Sequence, residues 1–101
     1  MIPPEQEAAL AAHLEAVLVQ FESQPIGRRL KVRIKELGAN ARDEVAQFRQ
    51  LQRACRESPE LAAAFAAAGF GDFSTVDPRQ PNPVVGAITN AFNRFVEARW
   101  R

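Results

Sequence analysis

The stretch GRRLKVRIKELG, Gly27 to Gly38, places Arg28, Arg29, Lys31, Arg33 and Lys35 within eight positions. Cations at that density can do two kinds of recognition chemistry. They neutralise the phosphate backbone of a nucleic acid, or they grip carboxylates on an acidic protein. Further arginines follow: Arg42, Arg49, Arg53 and Arg56, the last three sharing a helical face at i, i+4 and i+7. A second group lies near the C-terminal end, where Phe92, Phe95, Val96 and Trp100 run beside Arg94, Arg99 and Arg101. Aromatic and arginine side chains are the types that protein interfaces favour. The candidate partner-binding residues are therefore Arg28, Arg29, Lys31, Arg33, Lys35, Arg49, Arg53, Phe95, Arg99 and Trp100.

Bond-making chemistry has few tools in this chain. It holds one His (His13), one Cys (Cys55) and no Tyr. His13 falls on the flank of a helical stripe, beside Leu10 and Val17, and reads as structural. Cys55 falls at an inward helical position, where a free thiol packs as a small apolar group. A zinc site asks for about four Cys, His or carboxylate ligands at compatible spacing, and no such set is visible. Nor is there a calcium loop, a phosphate-binding glycine loop or a dinucleotide fingerprint. Gly69-Phe70-Gly71 reads as a turn, since no lysine or threonine follows at useful spacing. The sequence thus points to no catalytic residue, no metal, no cofactor and no evident small-molecule substrate.

Length and composition narrow the setting. A chain of 101 residues supports one domain with one modest core. Its apolar fraction is 47%, yet 18 residues are Ala, against 7 Phe and 1 Trp. Alanine favours helix but buries little area, so stability rests on a few large side chains or on a partner. The net charge of +1 hides an uneven distribution. Residues 1–25 carry four Glu and no Lys or Arg, net −4. Residues 26–56 carry nine basic and three acidic side chains, net +6; the remainder carries four and five, net −1. Packing of the acidic arm against the basic middle would neutralise part of this. A single cysteine forbids an intrachain disulfide, and MIPPEQEAAL lacks a basic start followed by an apolar run. No stretch approaches 18 consecutive apolar residues. A reducing, cytoplasmic setting is expected.

The elements that position these residues read as helices. Pro3 and Pro4 precede Glu5, and Leu10, Leu14, Val17, Leu18 and Phe21 form one stripe up to Ser23-Gln24-Pro25. The basic stretch is ambiguous. Leu30, Val32 and Ile34 alternate with cations as in a strand that would need an intermolecular partner, while Ile26, Leu30, Ile34 and Leu37 fit a helix. No second strand is evident in the chain, so helix is preferred. Gly38 suits a helix C′ position, and Asn40 with Asp43 suggests the next N-cap. Ser58-Pro59-Glu60 and Asn82-Pro83 open two more helices. The expected helices are about 4–23, 27–37, 41–57, 59–68 and 83–99, with a loop at 69–82 anchored by Phe70 and Phe73.

One family resemblance lies in this last region. The run SPELAAAFAAAGFGDFS, Ser58 to Ser74, resembles the conserved end of Nif-type leader peptides in its acidic helix, small residues, glycine and aromatic-Asp-aromatic step. It covers about a sixth of the chain, and Gly71 is inserted before Asp72-Phe73. No double-glycine step followed by a Cys-rich core occurs, and no functional residue is carried across.

The expected fold is all-α, a small bundle of four to five short helices around one core. That core draws on Leu10, Leu14, Leu18, Phe21, Leu30, Ile34, Val45, Phe48, Phe65, Ile88 and Phe92. The expected function is recognition: a regulatory, adaptor or assembly protein that binds an acidic protein or its own copy. Its tools would be the basic face and an apolar C-terminal helix. The alternative is nucleic-acid binding through the Arg/Lys cluster at 28–53. Gly38 between two helices brings a helix-turn-helix to mind, but Ile34 is bulky where such helices approach closely, and the second helix is long for a recognition helix.

Overall fold

A tight corner between the first two helices sets the start of the fold. The computed structural model describes residues 3–38, 43–80 and 82–100. Helix α1 (Pro4–Phe21) begins with proline at N1 and Glu5 and Glu7 in its first turn, where acids complement the helix dipole. It buries Leu14, Val17, Leu18 and Phe21. Three residues later α2 (Pro25–Glu36) starts, again with proline at N1, two residues earlier than expected. Gly27 makes that corner possible. A Cβ there would overlap the carbonyl carbon and oxygen of Phe21, so only glycine lets α2 leave so close to the end of α1.

The ambiguous basic segment is helical. Ile26, Leu30 and Ile34 point inward at i, i+4 and i+8, whereas Val32 is 52% exposed. A strand would have put Val32 on the same face as Leu30 and Ile34. The helix ends as expected, with Gly38 in the left-handed region at φ 56°.

Helix α3 (Glu44–Glu57) starts later than the sequence suggests. Its N-cap is Asp43, whose Oδ1 accepts from the amides of Val45 (3.0 Å) and Ala46 (3.2 Å). A carboxylate at this position satisfies two free N–H groups and meets the positive end of the helix. Asn40, expected as the cap, and Ala41 and Arg42 lie outside the described residues, as does Arg101. Ser58 closes α3 and caps α4 (Pro59–Ala67) through Leu61 N–H at 3.2 Å. The loop that follows is held by its phenylalanines. Phe70 and Phe73 are buried against Phe65, edge-on at 5.6 and 5.4 Å, and Phe73 also meets Phe48. Asn82 then caps α5 (Pro83–Phe95) through Val84 and Val85.

The result is a small all-α bundle with five helices among the described residues. Helix α5 lies between α1 and α3, and α3 also packs on α2 and α4. The expected core residues are buried, except that Leu10 and Val45 stay half-exposed at its edge. Among the described residues no helix is long and apolar enough to cross a membrane.

The last element departs from expectation. Instead of one helix to 99 with a frayed end, α5 passes into a π-helical turn, Val96–Trp100. The i→i+5 pattern of that turn brings Trp100 over Phe95, with ring centroids 5.1 Å apart, and against Phe92 at 6.1 Å. Trp100 is only 2% exposed.

Two glycine substitutions test this packing. Gly27→Ala is expected to cost about 2–3 kcal/mol or more, because backbone must move to admit the methyl group. Gly86→Ala, where an added Cβ meets nothing within 4 Å, is expected to stabilise α5 by about 0.5–1 kcal/mol. Urea denaturation of both variants measures the two signs.

Candidate functional site

The predicted basic face divides into separate groups once the helices are in place. The first group is the outer side of α2. Arg28, Arg29 and Lys35 are exposed there and make no ion pair among the described residues. Lys31 is half-buried on the same helix and lies within electrostatic reach of Glu22. A shallow groove of about 310 Å³ runs over this helix, lined by Arg28, Arg29, Val32, Arg33 and Glu36. Val32 is the most exposed large apolar side chain of the described chain. The face is therefore cationic with an apolar centre, not uniformly charged.

The second group is already engaged. Arg33 donates to both oxygens of Glu57, Nη1 to Oε2 at 2.9 Å and Nη2 to Oε1 at 3.1 Å. Arg53 Nε reaches the same carboxylate at 3.1 Å. A forked guanidinium–carboxylate contact fixes both orientation and spacing, so this trio ties α2 to α3. The two arginines hold the Glu57 carboxyl below its ordinary range, Arg33 more than Arg53. Neither is as available to a partner as Arg28 or Arg29.

Arg49 and Arg56 form a third group with the loop after α4. Arg56 Nη1 donates to the Ser74 carbonyl at 2.9 Å, and Arg49, exposed, makes no hydrogen bond or ion pair among the described residues. Gln52, buried between them, donates its Nε2 to the carbonyls of Phe73 (2.9 Å) and Val76 (2.7 Å). Leu51 and Gln52 are both buried, and only the polar one ties down the loop.

The aromatic C-terminal candidates lie inside the bundle. Phe95 is 5% exposed and Trp100 2%, so the aromatic surface expected to face a partner is spent inside the chain. The cause is Glu22, at the end of α1. Its carboxylate accepts from Arg99 Nε (3.1 Å), Arg99 Nη2 (2.9 Å) and the Trp100 indole N–H (2.9 Å). Arg99 also lies 5.8 Å from the centre of the Phe95 ring. The acidic first helix is thus met by the C-terminal end, with Arg94 near Glu7 at 3.8 Å, more than by the basic middle. Hydrogen bonds from Arg99 and then Trp100 pull the Glu22 carboxyl down to about 2.

The residues considered for bond-making chemistry are apart in character as well as in sequence. His13 is exposed on α1, while Cys55 is buried on α3. Burial, reinforced by Asp72, pushes the Cys55 thiol up to about 12, so it is a neutral thiol near pH 7. Among the described residues no group of three or more His, Cys, Asp or Glu side chains is placed to hold a metal ion. Comparison of the chain with protein-family models, curated proteins and solved structures finds no match.

The Glu22 contacts carry a pH dependence with a definite sign. A carboxyl whose folded-state pKa lies below its unfolded value stabilises the fold fully above about pH 4.5 and loses that contribution as pH falls toward 2. Glu57, Asp72 and Asp77 are also lowered, so acid weakens the protein at several points. Glu22→Gln isolates one of them. Its melting temperature is expected to lie below that of the parent at pH 7, with the gap closing between about pH 5 and 2. Trp100, the sole tryptophan, reports the transition by its fluorescence.

Proposed function

We propose that this protein is a non-catalytic recognition module of the regulatory, adaptor or assembly kind, which binds an acidic protein through the outer face of α2. The observation that carries this reading is the mixed character of that face. Arg28, Arg29 and Lys35 stand unpaired around Val32, an aliphatic side chain left 52% exposed. A hydrophobic centre with a charged rim is how protein interfaces are built. The rim cations steer an acidic partner and fix its register, while Val32 supplies area that water leaves on contact.

One feature argues against a phosphate backbone as the target. Arg33 and Arg53, which the nucleic-acid reading also needs, share Glu57. The buried state of Phe95 and Trp100 moves the expected contact away from the C-terminal helix and onto α2.

The test uses the charge and the valine separately. Immobilised protein is compared with the variant Arg28→Glu/Arg29→Glu and with Val32→Ser, and retained partners are identified and titrated. An acidic protein should bind the parent, lose most affinity on charge reversal, and weaken by about tenfold with Val32→Ser. In parallel, anisotropy with a random duplex and a single-stranded RNA is measured at about 50 and 200 mM salt. Micromolar binding that falls by about three orders of magnitude across that range would transfer the face to nucleic acid.

A further inference from the structure

We infer that α3 and the loop after α4 form a second, independent site that binds the phosphate group of a small molecule. The site is a depression of about 410 Å³ whose wall brings Arg49 and Arg56 of α3 together with Arg79 of the loop. The two helix arginines are seven residues apart, two turns along one face. Arg79 reaches the same depression from 23 positions beyond Arg56. Three guanidiniums, each permanently charged, thus share one concavity.

One carboxylate lines it with them, that of Asp77. Asp77 is occupied locally: it accepts from the Arg79 backbone amide at 3.0 Å and lies 3.6 Å from Arg79 Nε. The depression keeps two positive charges in excess. Arg49 makes no hydrogen bond there, although it lies within electrostatic reach of Asp77, and the wall as a whole brings like charges together. A dianion in the depression offsets that repulsion. A phosphate monoester carries about −1.5 to −2 charges near neutral pH and offers three acceptor oxygens, which guanidinium forks match.

Part of the wall is fixed before any ligand arrives, while the Arg49 and Arg79 side chains stay exposed. Gln52, at the base between the two helix arginines, fixes the loop through the carbonyls of Phe73 and Val76. Arg56 is oriented by the Ser74 carbonyl and keeps its other N–H groups for a ligand. Phe73 anchors the same loop in the core. Ordering that is already complete does not have to be supplied at binding. The volume also exceeds what a bare anion needs and falls in the range of small-molecule sites, leaving room for the body of an ester. This depression shares no lining residue with the groove over α2.

Amide spectra of isotope-labelled protein test the assignment, with inorganic phosphate, pyrophosphate and adenosine monophosphate each titrated to about 10 mM at low salt. The amides of residues 74–79 are expected to shift with adenosine monophosphate. Arg49→Gln and Arg79→Gln are each expected to weaken binding about tenfold or more, while Arg28→Glu/Arg29→Glu leaves it unchanged. A response to inorganic phosphate or pyrophosphate but not to the nucleotide identifies free phosphate as the source and keeps the chemistry. No shift with any of the three overturns the proposal. So does equal weakening by the α2 variant, which would mean diffuse attraction, or binding of single-stranded RNA at 74–79 without binding of the mononucleotide.

Discussion

Eight aromatic side chains must fill a core whose helices are otherwise lined largely with alanine, and that shortage of large apolar volume governs where everything else can go. All seven phenylalanines and the tryptophan are buried. Seven of the eight divide into two packed groups. Phe48, Phe65, Phe70 and Phe73 tie α3 and α4 to the loop, and Phe92, Phe95 and Trp100 close the C-terminal end. Edge-on aromatic pairs add about 0.5–1.5 kcal/mol each beyond the area they remove from water. In a chain of 101 residues these contacts cannot be spared for a partner. Among the described residues the exposed large hydrophobics are single valines, Val19, Val32 and Val84, so the rest of the exposed surface is mainly polar, charged or alanine.

Charge placement follows from the same economy of space. Two carboxylates act as junctions between elements, and a third as a helix cap, rather than as solvated decoration. Glu22 joins α1 to the π turn, Glu57 joins α2 to α3, and Asp43 starts α3. Glu22 is the most consequential, because a terminal tryptophan needs a hydrogen-bond acceptor before its indole can be buried without loss. The π winding and the carboxylate work together: the first turns Trp100 inward, and the second receives its N–H. What remains after these junctions is a surplus of arginine on α2 and α3.

The legible parts of the fold were those with local chemistry. Proline at N1 after Pro3, Ser58 and Asn82 marked three helix starts, because its missing N–H and fixed φ suit that position and no interior one, whereas Pro25, read as the end of α1, is N1 of α2. The stripe Leu14, Val17, Leu18, Phe21 and the anchoring role of Phe70 and Phe73 were likewise readable from spacing and residue type. What could not be read depended on partners distant in the chain. Glu22 and Trp100 are 78 positions apart, and no local pattern tells an acidic helix end that it will receive an indole. Sequence reasoning therefore left Trp100 at a frayed end. A signal existed in retrospect: an i, i+5 pair of aromatics, Phe95 and Trp100, fits a π turn better than an α-helix. Gln52 was missed for a similar reason, since its two acceptors belong to a loop whose path only the fold defines.

The surplus arginines also show why one basic stretch should not be read as one site. Seen along the sequence, residues 28 to 56 carry nine basic side chains against three acidic ones. In space, Glu57 takes two members, Ser74 orients a third, and the unpaired ones occupy an open helix face or a concave wall. These settings differ. On the open face of α2 each charge is surrounded by water, so its pull on a partner falls off within about 8–10 Å at physiological salt. Around the depression beside Gln52, Arg56 is held by the Ser74 carbonyl, while the Arg49 and Arg79 side chains stay exposed. The Arg33–Glu57–Arg53 junction, which braces α2 against α3, lets one small bundle present both.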